Sequence, residues 1–389
     1  MRMDNGLTGI SNKNLSEIRR KDMTAQEIIA FLESGALYRT FRDVLSKVYK
    51  AGDLKSDLTD GLYRLGGGKR ESVARNVRNW LNGTDVPRRE QLFKICFVLG
   101  LDDVQASQVI ASISETGIHY RNPEELIYAY CLRMGRPYED ALVLKEDLLP
   151  EILTMSGEQG EEIESVYTRQ LQRAFEEQVT NDEELRAFLQ ANAGKLGRLH
   201  RTAHEAFVRM LDYLQSPEKG LRTFSVQEIA DEFFRMHVPK NTGKRKQTVA
   251  RDFSYIQKVI RRDWPSEDII YKMKSGNVDV SRKVLLLLFL LTEEFEVSEP
   301  VDSGEEFWEE DSYLEDVDDE DENVRMEVRL NQMNLFLDSY GMNRLDVGSP
   351  FDCLVLYALK ASYTGGNGGD AMSERLEKAL EILFDGERG

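Results

Sequence analysis

What most constrains this chain is that one unit is written into it twice. Thr24-Ala25-Gln26-Glu27-Ile28 returns as Ser225-Val226-Gln227-Glu228-Ile229. Trp80-Leu81-Asn82-Gly83, eight residues and the apolar run Leu92 to Val98 return as Met273-Lys274-Ser275-Gly276 and the run Leu285 to Leu291, at a constant offset of 193. Asn122-Pro123, leading to Tyr130 and Leu132, returns as Ser349-Pro350, leading to Tyr357 and Leu359, at an offset of 227. Three anchors in one order argue for duplication, since coincidental matches would not keep their sequence.

The two offsets differ by 34 residues, which places an insertion in the second copy. Glu293 to Glu322 holds seventeen acidic residues in thirty and no Lys or Arg. The formal net charge of −18 therefore falls to about −1 once this block's −17 is set aside, so the acidity is local. Blocks of like charge repel themselves and are expected to be disordered. A solvated surface insertion is the plainer reading. A docking segment gripped at Phe307, Trp308, Tyr313 and Leu314 is the other.

Length allows two or three domains with ample core. Cys96, Cys131 and Cys353 are scattered, odd in number and set in apolar helical contexts, as reduced, buried thiols of a cytoplasmic protein would be. Residues 1–22 are polar and charged and read as a flexible tail without the apolar core of a signal peptide. The most apolar run, Val284 to Leu291, is far short of the roughly twenty residues a membrane span needs. No membrane association is expected.

Local structure reads as helical almost throughout. Pro is scarce, at nine in 389 residues, and long alternating Val/Ile/Thr runs are absent. Thr24-x-x-Glu27 and Ser225-x-x-Glu228 fit the capping box, and Asn122-Pro123 and Ser349-Pro350 set Pro at a first helical position. Leu171, Phe175, Leu185, Phe188 and Leu189, like Phe207, Met210, Leu211 and Leu214, have helical spacing between the copies. The expectation is all-α: two homologous helical lobes, residues 23–150 and 222–389, joined by a helical connector, 151–221.

Chemistry should sit where the first copy is basic. After Gly66-Gly67-Gly68, the spacing predicts a helix over Lys69 to Leu81 with Val73, Val77, Trp80 and Leu81 on one face. The other face carries Arg75, Arg78, Asn79 and Asn82, side chains that match purine edges and, for Arg, phosphate. With a preceding helix from about Leu54 to Leu65, this makes a helix-turn-helix pattern. Pro87-Arg88-Arg89-Glu90 then opens the next apolar helix.

These residues resemble a family. Trp80-Leu81-Asn82-Gly83, Pro87-Arg88-Arg89-Glu90 and the run ending Leu99-Gly100-Leu101 look like the lambda-repressor-type (XRE-like) helix-turn-helix domains of bacterial regulators. Gly117 to Leu132, with Arg121-Asn122-Pro123, resembles an extension found in such regulators of Gram-positive bacteria and their mobile elements. The resemblance spans roughly residues 54–145 and implies that Arg75, Arg78 and Asn79 face double-stranded DNA, with Lys69, Arg70, Arg88 and Arg89 near phosphates. The glycine triplet departs from the family's tighter turn.

The offset of 193 turns Arg75 into Asp268, Arg78 into Tyr271 and Asn79 into Lys272, so the second copy is not expected to read a groove in the same way. Ahead of it, Lys244, Arg245, Lys246 and Arg251 stand in a basic stretch that could hold phosphates or pair with the acidic insertion. Enzymatic signals are weak. His200 and His204 share the i, i+4 spacing of metal helices but have no identifiable third ligand. Gly68-Lys69 lacks the other residues of a phosphate loop, with Tyr63 and Arg70 where Gly and Ser/Thr belong. The expected role is a cytoplasmic DNA-binding transcriptional regulator, not an enzyme, with no metal or cofactor and a second lobe for assembly or regulation. The alternative is a protein-interaction scaffold or regulatory component of a mobile-element or defence system that does not bind DNA.

Overall fold

The computed structural model describes residues 9–20, 22–66, 68–114, 116–158, 168–197, 201–215, 225–229, 238, 253–266, 268–292, 322–340, 342–361 and 371–385. Every regular element among them is helical. The chain divides into two compact units. A split unit gathers Met1–Tyr38, Ala203–Asp338 and Arg344–Gly389; an inner unit, enclosed by it along the sequence, is Arg39–Thr202 with Ser339–Asn343.

The split unit begins with α1 (Gly9–Arg20) and α2 (Ala25–Ala30), which runs on into a π turn at Phe31–Gly35. The inner unit follows: α3 (Phe41–Val48), α4 (Leu54–Gly66), α5 (Arg70–Leu81), α6 (Arg89–Val98), α7 (Asp103–Ala111), α8 (Pro123–Arg133), α9 (Tyr138–Glu158), α10 (Thr168–Gln178) and α11 (Asp182–Ala191). The chain then returns to the split unit with α12 (Arg201–Gln215), the single turn α13 (Val226–Glu228), α14 (Tyr255–Asp263), α15 (Asp268–Lys274) and α16 (Arg282–Thr292). It ends with α17 (Glu322–Ser339), α18 (Pro350–Ala358) and α19 (Met372–Asp385).

Helix starts follow the capping chemistry. Thr24 and Ser225 both close capping boxes, with Glu27 N donating to Thr24 Oγ1 at 3.2 Å and Glu228 N to Ser225 Oγ at 3.1 Å. Asn122 and Ser349 cap α8 and α18, each with Pro at the first helical position. Gly83 and Gly276, 193 residues apart, stop α5 and α15 at φ +70° and +69°, a region that side chains beyond glycine rarely enter.

In the inner unit α4 packs on α5 and α6, while α3 lies against α5 and α7, and α8 against α9 and α11. Leu45, Leu58, Val77, Leu92, Phe93, Phe175 and Leu185 fill its core. The approach of α4 to α6 depends on Gly61, because a Cβ there would lie 2.2 Å from Val98 Cγ1. In the split unit α16, α18 and α19 pack on one another around Leu285 to Leu290 and Leu354 to Leu359, and α19 also covers α2. Cys96, Cys131 and Cys353 are free thiols, all buried.

Three expectations are corrected. Residues 9–20 are not a loose tail: they form α1, with Asn14 buried, its Nδ2 donating to Leu37 O at 2.7 Å and Val347 O at 2.8 Å. Residues 23–38 pack with the split unit and not at the head of the first lobe, since α2 lies along α19. The span expected as a connector is shared: Leu171, Phe175, Phe188 and Leu189 complete the inner core, while Phe207, Met210 and Leu211 are buried in the split unit. Lys244, Arg245, Lys246, Arg251 and the acidic stretch Glu293 to Asp321 lie outside the described residues.

Candidate nucleic-acid interface

Helix α5 is amphipathic because its apolar residues recur every three or four positions. Val77, Trp80 and Leu81 are buried, with Val73 packed at the margin. Burial on that side turns Arg75, Arg78 and Asn82 out to solvent, with Asn79 half-buried beside them. Lys69 is the exposed N-cap residue, one position ahead of the helix start at Arg70, and its carbonyl accepts Ser72 N at 2.9 Å. Arg88 is likewise exposed at the N-cap of α6, its backbone N–H held by Gln91 Oε1 at 2.8 Å. Lys69, Arg75, Arg78 and Arg88 form no ion pair among the described residues.

Two of the predicted cations are committed elsewhere. Arg70 grips Asp60 of α4 through Nε at 3.0 Å and Nη2 at 2.5 Å, and this hydrogen bond raises its pKa. The pair straps the start of α5 to α4. Arg89 points into the unit: Nε meets Glu125 Oε1 at 2.5 Å, and Nη2 meets Glu125 Oε2 at 2.7 Å and Gly117 O at 2.6 Å. His119 N completes the clamp by donating to Glu125 Oε2 at 2.7 Å. A guanidinium bound to a nearly buried carboxylate is not available to phosphate, so the expected role of Arg89 is corrected to a structural one.

The same four-cornered arrangement stands in the split unit. Arg282 Nη2 meets Asp352 Oδ2 at 2.7 Å and Arg344 O at 3.1 Å, and Asp346 N donates to Asp352 Oδ2 at 2.8 Å. Arg282 is Arg89 plus 193, while Asp352, Arg344 and Asp346 are Glu125, Gly117 and His119 plus 227. Here the pair is fully enclosed, with side chains 6% and 4% exposed. Glu125 and Asp352 each lie three residues beyond the matched N-caps, so the sequence offsets could have found the clamp.

Charge is unevenly spread along the inner unit. Residues 39–89 hold twelve Lys/Arg against six Asp/Glu, whereas residues 90–202 hold eleven against twenty. The α3 to α5 stretch is thus the basic part, and Arg64 on α4 adds an exposed cation not anticipated from the sequence.

Elsewhere, His204 Nε2 lies 3.0 Å from Met273 O, and His200 is outside the described residues. No group of three His, Cys, Asp or Glu among the described residues is placed to hold a metal ion, and no described helix is long and apolar enough to cross a membrane. No family model, curated protein or solved structure matches this chain.

Proposed function

We propose that the protein is a cytoplasmic DNA-binding transcriptional regulator of lambda-repressor type. In this reading α4 and α5 act as a helix-turn-helix, with the outer face of α5 set into a major groove. The observation that carries it is the set of exposed cations without a carboxylate partner: Lys69 at the N-cap of α5, Arg75 and Arg78 on it, and Arg88 at the start of α6. The positive end of the α5 dipole lies at Lys69, where a phosphate is favoured. Arg75 and Arg78 would read bases, Asn79 and Asn82 would assist, and Arg70 would hold the reading helix at its angle to α4. The matched helix starts, glycine stops and Arg–carboxylate clamps support descent of both units from one duplicated module, the split unit serving assembly or regulation.

The test is DNA affinity across a salt series. Each phosphate neutralised contributes about −0.9 to the slope of log K against log salt, so Lys69 and Arg88 set against phosphates give a slope of about −2. Replacing Arg75 and Arg78 together should remove sequence preference, whereas replacing Lys69 and Arg88 should flatten the slope. Binding that ignores both arginines would transfer the argument to the second reading, a protein scaffold. That reading is favoured by the acidity of residues 90–202 and by exposed Val104 on α7 and Val143 on α9.

A further inference from the structure

We infer that each chain reads a single major-groove segment, through α5 alone, so that one chain selects an asymmetric site and its second unit adds no second reader. This rests on the DNA-binding reading above.

Helix α15 occupies the place of α5 by the 193-residue offset and ends in the same way. Gly276 N donates to Met273 O and Asn277 N to Lys272 O, both at 2.9 Å; Gly83 N donates to Trp80 O at 3.1 Å and Thr84 N to Asn79 O at 2.9 Å. Its beginning differs. Pro265 stands where α5 has Ser72, and α15 starts only at Asp268, seven residues long against twelve in α5. Proline disfavours helix at the residue before it, so α15 lacks the turn that in α5 is strapped to the preceding helix through Arg70 and Asp60. Trp264, just before it, packs its ring on Phe351 with centroids 5.6 Å apart, so this segment serves the core.

The remaining outward face of α15 is exposed, and its side chains bond to one another or within the split unit. Asp268 takes the place of Arg75 and accepts from Lys272 Nζ at 2.5 Å, a bond that holds its carboxyl below the ordinary range. Tyr271, in the place of Arg78, donates to Gln227 Oε1 at 2.7 Å. Nearby cations are also paired: Arg262 with Asp263 at 2.8 Å and Arg282 with Asp352. A carboxylate at the start of the helix repels phosphate, and a lysine already paired with it releases few counterions. Lys274 alone remains exposed and unpaired among the described cations of α15.

The experiment is selection of duplexes from a random pool of about 40 bp by the full-length protein, with the number of chains per duplex counted by native mass spectrometry; the length leaves room for half-sites about 10 bp apart. The expected product is one contiguous motif for each bound chain, with Lys272→Ala/Lys274→Ala binding the selected duplex within about twofold of wild type. A palindrome carrying two chains agrees, since each chain still reads one half. Two motifs about 10 bp apart under one chain, or a large loss of affinity in the Lys272/Lys274 variant, would overturn the inference while leaving DNA binding intact. No enrichment by the wild type would overturn the DNA-binding reading itself, and this inference with it.

Discussion

The instructive comparison is between α5 with its surroundings and α15 with its own. Both end at a left-handed glycine, and both precede a helix whose first arginine, Arg89 or Arg282, is clamped by a carboxylate from the helix of the matched Pro start. What differs is the outward side. Around α5, Lys69, Arg75, Arg78 and Arg88 are left to solvent. On and beside α15, Lys272, Arg262 and Arg282 are paired, only Lys274 of its described cations is not, and the helix is seven residues long against twelve. The features shared by the units are those that packing requires, and the features that differ are those that a partner would touch.

The sharpest break in the comparison should come from Arg75→Ala/Arg78→Ala. Each base-reading arginine is worth about 1–3 kcal/mol of discrimination, so the double variant should lose about 2–6 kcal/mol of DNA affinity with an unchanged unfolding midpoint. Affinity and melting temperature measured on one preparation check both halves of that statement.

Next come the clamps. Arg282→Ala leaves Asp352 buried without its cation and should cost about 3–5 kcal/mol in chemical denaturation. Arg89→Ala should cost less, because its guanidinium is one-third exposed. Equal costs would mean that the enclosure of the split unit's clamp does not matter.

Gly61→Ala tests the packing of α4 on α6. The new Cβ would meet Val98 and should cost about 1–3 kcal/mol, with Gly61→Ala/Val98→Ala recovering much of it. The position 193 residues on is Ser254, which already carries a Cβ, so this substitution has no counterpart on the α15 side.

A smaller effect concerns the thiols, which treat both units alike. Burial pushes the Cys131 thiol up to about 12 and also raises Cys96 and Cys353 well above the ordinary value of 9.0. Below that value folded and unfolded thiols are both protonated and nothing is lost. As pH rises through it, only the unfolded chain can release these protons, so stability should decline in alkaline solution. A thiol reagent at pH 8 should label none of the three in the native protein and all three after unfolding. Early labelling of Cys96 and Cys131 ahead of Cys353 would show that the inner unit opens first.

Much of this architecture was legible beforehand. Caps and amphipathic spacing are local properties, so the capping boxes at Thr24 and Ser225, the stop at Gly83 and the buried face of α5 follow from nearby residues. Side-chain commitments across the fold were not legible. Arg89 looks as available as Arg88 until Glu125 is brought to it from 36 residues away. Likewise α1 reads as polar, because a single buried amide, Asn14, and one isoleucine, Ile18, fix it in place instead of an apolar stripe. Unit boundaries were misplaced for the same reason: α2 owes its position to α19, at the far end of the chain.

That last arrangement bears on how the protein is made. Lys360 Nζ donates to the carbonyls of Ile18 and Arg19, and Arg375 Nη2 reaches Asp22 and the carbonyl of Met23. A ribosome adding about 5–20 residues per second therefore spends roughly 17–70 s between synthesising Ile18 and the lysine that caps its helix, 342 positions later. During that interval the inner unit, nearly contiguous, can fold on the nascent chain, while the amino-terminal helices wait without their partner. A chain truncated after residue 202 would carry the basic face with α1 and α2 left undocked.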